Sequence, residues 1–333
     1  MQDASFRKMV QNINIQNFKS IKDLSFEARR VNVFIGEPNT GKSNILEALG
    51  LFSVEFSRNL QKIARCRNVG DLFHKYELDN DIQVHIDDAR LILAYELLKI
   101  EIYFQNSATS LIDYHLSKEG KVGVSGDVGY ANGIFKFPKY YKYKLLNNFE
   151  SSSSTFLLPP FGENLPDVLF YNKHLRELVG EIISDKGYKL NVNRGKEEID
   201  IVESEENGIS LSYPFSSMSD TLQRIIFYLA AIESNKDSAL IFEEPESHIF
   251  PFYNKYLAEL IAQNEAGNQF FIATHNPYFL EPLIEKTPLS ELAVYITYMG
   301  NYETKLKLLS EKDLSSLMGY SDIFLNLNKF LIE

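Results

Sequence analysis

The chain has 333 residues, a formal net charge of −11, 44% apolar side chains and a single cysteine. That apolar content can build a real core, and the length suits about two domains or one domain with a large insertion. The acidic balance excludes coating nucleic acid with the whole surface and leaves room only for a local basic patch. Lone Cys66 excludes an intrachain disulfide framework and a cysteine-based zinc site. The most apolar stretch, Leu91–Phe104, is interrupted by Glu96, Lys99 and Glu101, short of the roughly 18 clean residues that span a membrane. The opening MQDASFRKMV has no signal-peptide core. A soluble, cytoplasmic protein with no membrane partner is the expectation.

In chain order, Ile13–Phe18 reads as a strand, Lys19–Lys22 as a turn and Leu24–Phe26 as the start of a second strand. Val31–Ile35 is a short apolar run ending at a glycine, the pattern of a buried strand feeding a loop. Ser43–Phe52 has helical spacing. From about Asp81 to Leu146 short strand-like bursts (IQVHI, LKIEIYF, LIDYHL, KVGV, GIFKF) are punctuated by glycine, which predicts an antiparallel region. Ser151–Thr155 reads as a flexible joint and Leu157–Leu165 as a rigid turn. One helix is predicted over Leu169–Ile183 and a strand pair over Leu190–Val202. Thr221–Glu233 is helical, and Ala239–Phe242 is a buried strand. Phe252–Ala262 is a helix opened by Pro251. Phe270–Ala273 is a buried strand and Tyr278–Ile284 a short helix. Strands near Leu292–Tyr298 and Thr304–Leu309 and a helix near Leu314–Leu327 follow. Buried strands alternating with helices at both chain ends argue for parallel α/β structure.

Three motifs carry chemistry. Gly36–Ser43 reads G-E-P-N-T-G-K-S, which fits G-x-x-x-x-G-K-[ST] between a strand and a helix. Gly36 and Gly41 let the backbone wrap a phosphate. Glu37, Pro38, Asn39, Thr40 and Asn44 complete the loop. Lys42 reaches the β- and γ-phosphates, and Ser43 can ligate Mg²⁺. The second motif, Ala239–Glu246, is an apolar strand ending in paired carboxylates. In a P-loop fold such a strand lies beside the P-loop strand. Glu243 would then hold the metal, and Glu244 would orient or deprotonate the attacking water. The third, Phe270–Pro277, delivers His275 to the sheet end where ligands sit in α/β proteins. Neutral His275 can donate a hydrogen bond to the γ-phosphate or the water.

Together with INIQNFK at Ile13–Lys19, EEPESH at Glu243–His248 and ATHNP at Ala273–Pro277, these motifs resemble the non-transporter ABC-type ATPases of the SMC, RecF and OLD-like group, including prokaryotic AAA-labelled chains. The resemblance implies a mixed sheet with helices, an inserted antiparallel β region and a small helical lid. It implies ATP and Mg²⁺ as cofactors. Residues 1–75 and 206–333 would form the two parts of an ATPase head, 76–150 the β region and 151–205 the lid. Ser219, Asp220 and Thr221 fall at the place of the family's signature motif, which completes the partner's ATP site in a head-to-tail dimer. Thr221 stands where glycine is usual, and Glu243 where aspartate is usual. A metal-sensing glutamine is also usual, with Gln61, Gln83 and Gln105 as candidates. His248 is either a seam residue or a surface-loop histidine. No acidic cluster after His275 has two-metal nuclease spacing, so no Toprim nuclease domain is expected.

Lys136–Lys144 (KFPKYYKYK) mixes four lysines with aromatics. It reads either as a lysine-protected edge strand or as a phosphate-gripping, base-stacking segment. The leading expectation is a switch ATPase. It forms a homodimer or a higher even-numbered oligomer, acts on an effector protein in trans, with nucleic acid a possible partner, and serves DNA repair or anti-phage defence. The alternative is a nucleotide-gated DNA clamp or scaffold with little hydrolysis. A third reading, the ATPase subunit of a transporter, is opposed by the antiparallel middle and the absent glycine signature.

Overall fold

A computed structural model describes residues 9–104, 107–124, 138–203, 210–320 and 323–331. The chain opens on a hairpin of β1 (Asn12–Phe18) and β2 (Ile21–Glu27). Phe18 pairs directly with Ile21, so the turn is only Lys19–Ser20, shorter than expected. β3 (Val31–Ile35) is buried along its whole length. It leads through the glycine loop into α1 (Lys42–Gly50), a 3-10 turn and α2 (Val54–Ser57).

Five strands follow: β4 (Ile82–Ile86), β5 (Ala89–Leu93), β6 (Leu97–Phe104), β7 (Ser107–Leu116) and β8 (Val122–Val124). β4 pairs antiparallel with β1, and the seven-stranded order is β2-β1-β4-β5-β6-β7-β8. The antiparallel region expected in the middle of the chain is therefore one sheet with the N-terminal hairpin. The predicted GIFKF strand lies outside the described residues.

β9 (Lys139–Tyr141) precedes α3 (Leu165–Tyr171) and α4 (Lys173–Ser184). The single helix expected over Leu169–Ile183 is two. Asn172 breaks it, because its side chain accepts from the Leu175 N–H and caps the second helix. β10 (Tyr188–Asn193), β11 (Glu198–Glu203) and β12 (Ser212–Pro214) form a small antiparallel sheet, one strand more than the predicted pair. Then come α5 (Asp220–Glu233), β13 (Ala239–Glu243), α6 (Pro251–Ala262), β14 (Gln269–Ala273) and α7 (Pro277–Lys286). β15 (Leu292–Gly300), β16 (Glu303–Leu308) and α8 (Glu311–Met318) follow. The last helix stops at Gly319 rather than running to Leu327, and a 3-10 turn takes over at Phe324–Phe330.

The second large sheet has the order β16-β15-β3-β14-β13-β9, parallel except for β16. Side-chain alternation divides its two faces. Val31, Val33, Ile35, Leu240, Phe242, Phe270 and Ile272 pack with α3 to α7 in one core. Phe34, Ile241 and Phe271 join α1 and the antiparallel sheet in the other. Helix α1 thus lies between the two sheets, which explains why Ile45, Leu46 and Leu49 are all sealed from water. Residues 165–184, part of the expected lid, share the first core with α5 to α7. Among the described residues no helix is long and apolar enough to cross a membrane.

Candidate nucleotide-binding site

The loop between β3 and α1 takes its shape from two glycines. Gly36 has φ 149° and Gly41 φ 99°, with Asn39 at 61° between them. A Cβ on Gly36 would overlap Thr297, and one on Gly41 would overlap Thr304. Only glycine allows the β15–β16 hairpin to press so closely beneath the loop. The hairpin also bonds to it. Thr40 Oγ1 donates to the Glu37 carbonyl at 2.8 Å and lies 2.7 Å from Thr297 Oγ1, which itself donates to the Ile35 carbonyl at 3.0 Å. Ser20, in the β1–β2 turn, lies 2.6 Å from Thr304 Oγ1 and accepts from Asn44 Nδ2 at 2.6 Å. Glu37, Pro38 and Asn39 stay exposed. Asn328 Nδ2 donates to Glu37 Oε1 at 3.0 Å. Ser20, Thr297 and Thr304 were not singled out in the sequence, since no local pattern ties them to residues some 20 to 280 positions away.

Lys42 opens α1 and turns back over the loop, donating to the carbonyls of Gly36 and Glu37 at 2.7 and 2.8 Å. Burial lowers its pKa, opposed by Glu244 and Glu37. Those loop carbonyls hold the ammonium within the cradle.

β13 does not lie beside β3 as expected. β14 is inserted between them, and each pairs parallel with it. The carboxylates still reach the loop, because α1 crosses over β13 and β14. Glu243 lies beside Ser43, whose hydroxyl favours its charged form. It also accepts from Tyr140 OH at 2.8 Å and pairs with Arg65 at 3.3 Å and Lys142 at 3.5 Å. Burial works to raise its pKa, but Ser43, Lys142, Arg65 and Tyr140 together hold the carboxyl below its ordinary range. Arg65 in turn bonds Glu47 at 2.8 Å, and Lys19 pairs with the other Glu47 oxygen. Glu47 is fully buried on α1.

Glu244 sits just past β13 in a left-handed conformation, φ 45°. Its Oε1 lies 3.0 Å from His275 Nδ1, and its Oε2 accepts from Ser247 Oγ at 3.2 Å. A non-glycine residue at positive φ is strained and persists where its surroundings hold it. Both side chains are open to solvent, 42% for Glu244 and 59% for His275. Beneath them Glu246 is buried. Its Oε1 accepts from Thr274 Oγ1 at 2.5 Å and from the His275 N–H at 3.3 Å, whereas its Oε2 is sealed from water and has no partner. Burial pushes this carboxyl up to about 7. The E-E-P-E motif exposed this residue to view, but only the fold reveals its burial.

Ser219 caps α5, accepting from the Leu222 N–H at 3.4 Å, and Asp220 pairs with Arg224 at 2.7 Å. Thr221 Oγ1 donates to the His248 carbonyl at 3.0 Å, which ties the start of α5 to the turn after Glu244. Gln61 donates to the Arg67 carbonyl and Gln83 accepts from Arg90, so their recorded bonds lie away from Ser43 and Glu243. Gln105 is outside the described residues.

A family model described as "AAA domain, putative AbiEii toxin, Type IV TA system" matches residues 31–281. The chain belongs to this AAA family. The match runs from β3 into the first half of α7 and so contains the loop, both carboxylates and His275. An ATP/GTP phosphatase of Helicobacter pylori is 22% identical over an alignment 357 positions long, covering 92% of this chain and 93% of that one. An uncharacterized protein of Methanocaldococcus jannaschii is 27% identical over 164 residues, covering 44% of this chain and 69% of that one. Two solved structures share the fold. An SMC head bound to the C-winged helix domain of ScpA gives a TM-score of 0.56 at 15% identity, over 93% of this chain and 100% of that one. An SMC head with an extended coiled coil, bound to the C-terminal domain of ScpA derived from Pyrococcus furiosus, gives 0.53 at 11% identity, over 93% and 98%. This AAA-family chain has the fold of an SMC head, with a P-loop between β3 and α1.

Proposed function

We propose that the chain is a Mg²⁺-dependent ATPase that works as a switch. Two copies close head to tail on ATP, hydrolysis reopens them, and the change passes to a separate effector protein. The observation that carries this reading is the meeting of Ser43, Glu243, Glu244 and His275 at one end of the parallel sheet. The glycine cradle and the α1 N-terminus suit a phosphate chain. The hydroxyl and carboxylate oxygens of Ser43 and Glu243 suit a hard cation shared with phosphate. Mg²⁺ bound there supplies charge neutralisation on the phosphates. The backbone of residues 36 to 44 and Lys42 bind the nucleotide. Glu244 accepts the proton of the attacking water, and His275 holds Glu244 and donates toward the terminal phosphate. Ser219, Asp220 and Thr221 at the start of α5 complete the site of the facing copy.

The exposed aromatics Phe250, Phe252 and Tyr278, 60 to 68% accessible, support a protein partner on this side. They stand at the starts of α6 and α7, beside the Glu244 turn and His275. The H. pylori relative's name supports nucleotide hydrolysis, and the ScpA domains bound to the SMC heads support an effector in trans. The family description and the SMC, RecF and OLD-like resemblance favour defence against phage or DNA repair.

Phosphate release with Mg²⁺–ATP, compared with Glu244→Gln and with oligomer mass recorded in the same samples, tests this. Turnover by the wild type, with the variant trapped as an ATP-bound dimer, is the expected result. Absence of turnover with a mass indifferent to ATP defeats the switch. A second reading, a nucleotide-gated clamp or scaffold with little hydrolysis, is favoured by one observation: Arg65 and Lys142 already occupy Glu243. Normal ATP affinity with negligible turnover would select it.

A further inference from the structure

The lysine–tyrosine run before residue 145 holds an edge strand, as one of its two sequence readings expects. Its β9 is the edge strand of the parallel sheet, in register with β13 through Leu240↔Lys139, Ile241↔Tyr140 and Phe242↔Tyr141. The three lysines described there differ in environment. Lys139 is buried, its ammonium 3.5 Å from the centre of the Phe156 ring and bonded to Asn235. Lys144 lies over Phe161 at 5.3 Å. Lys142 is the first residue past the strand, at the ligand end of the sheet, where the register brings it level with Glu243. Its Nζ stands 3.5 Å from Glu243 Oε2. Tyr140, two residues earlier and so on the same face, donates to that same oxygen.

We propose that Lys142 is a second phosphate-binding cation, resting on Glu243 in the free protein and turning to the terminal phosphate of a bound triphosphate. The inference deepens the ATPase reading above and rests on it. Charge is the first support. Glu243 and Glu47 carry two negative charges and together meet three cations, Lys19, Arg65 and Lys142. One of them is surplus to neutralising the carboxylates. Stability is the second. The Lys142 side chain is 40% exposed, and ion pairs so open to water contribute little to folding. Position is the third. Glu243 pairs with Lys142 and lies beside Ser43, the neighbour of Lys42, so a lysine from the edge strand and a lysine from α1 serve one cluster. A flexible four-carbon stem suits a cation that changes partners. Triphosphate sites spread such charges around the transferred group.

The test is calorimetric titration of ATP and of ADP with Mg²⁺, in a Glu244→Gln parent that does not consume ATP. Lys142→Met is expected to weaken ATP binding about tenfold and ADP binding less than about twofold, as for loss of one charge-assisted bond to the last phosphate. Less Mg²⁺ should then be needed for half-maximal ATP binding, because a competitor for Glu243 is gone. Lys142→Arg should keep the preference for ATP. Unchanged affinities and Mg²⁺ dependence in Lys142→Met would overturn the inference and leave a plain surface ion pair. Equal losses for ATP and ADP, or a lowered melting midpoint that accounts for them, would also overturn it in favour of a structural role. If the parent binds neither nucleotide, the ATPase reading itself falls, an outcome distinct from the other two.

Discussion

Glu246 couples the site to pH through folding. In the unfolded chain its carboxyl ionises at about 4.5, and in the fold burial raises this to about 7. Below the lower value both states are protonated, and the residue does not discriminate between them. Between the two values the unfolded chain ionises first, so stability falls as pH rises and reaches a floor above the folded value. The gap corresponds to about 3 kcal/mol. For a chain of this length that is about 4 °C in melting midpoint. Glu246→Gln keeps an acceptor for Thr274 Oγ1 and the His275 N–H but cannot ionise. Its stability relative to wild type should therefore climb by about 3 kcal/mol from pH 4.5 to pH 8, read from urea melts of nucleotide-free protein at several pH values. The absolute offset is immaterial, because the new amide faces the partnerless position of Oε2. A difference that stays flat across pH would refute the raised carboxyl, and so would one that falls.

Three further outcomes are expected. Gly41→Ala places a Cβ at φ 99° against Thr304, so nucleotide affinity measured by calorimetry should fall at least about tenfold with the fold kept; unchanged affinity would contradict the cradle. Glu47→Ala leaves the nearly buried Lys19 without its carboxylate and Arg65 with Glu243 alone, and should cost about 3 kcal/mol in a denaturant melt, whereas a cost below about 1 would show the pairing to be incidental. Phe242→Ala removes a fully buried ring packed on Tyr141, Tyr228 and Phe270, and should cost about 4 kcal/mol in the same measurement.

β3, β13 and β14 were legible in the sequence because strands covered on both faces leave unbroken apolar runs. The glycine loop was legible because its residue types are dictated by backbone geometry. Strand order was not: nothing within β13 or β14 says which of them touches β3, since both are buried alike. Glu47 lies in a stretch read only as helical, and its burial depends on Lys19 and Arg65, which sit outside the helix. The Asn172 break lay hidden because the apolar spacing continues across it, and a single capping side chain outweighed that pattern. Lys142 was visible only as charge in a lysine run. Its contact with Glu243 exists because β9 pairs with a strand about a hundred residues later in the chain.

The glycine loop, finally, is finished by residues synthesised long after it. Thr297 and Thr304 brace it from beneath, and β3 gains its sheet neighbours only with Gln269–Ala273 and Leu292–Ile296. A chain made only through α5 would hold every residue of the phosphate loop but neither sheet neighbour of β3. The cradle is therefore a product of the assembled head and not of its own segment: residues 36 to 44 are shaped by contacts that close across some 260 positions of chain.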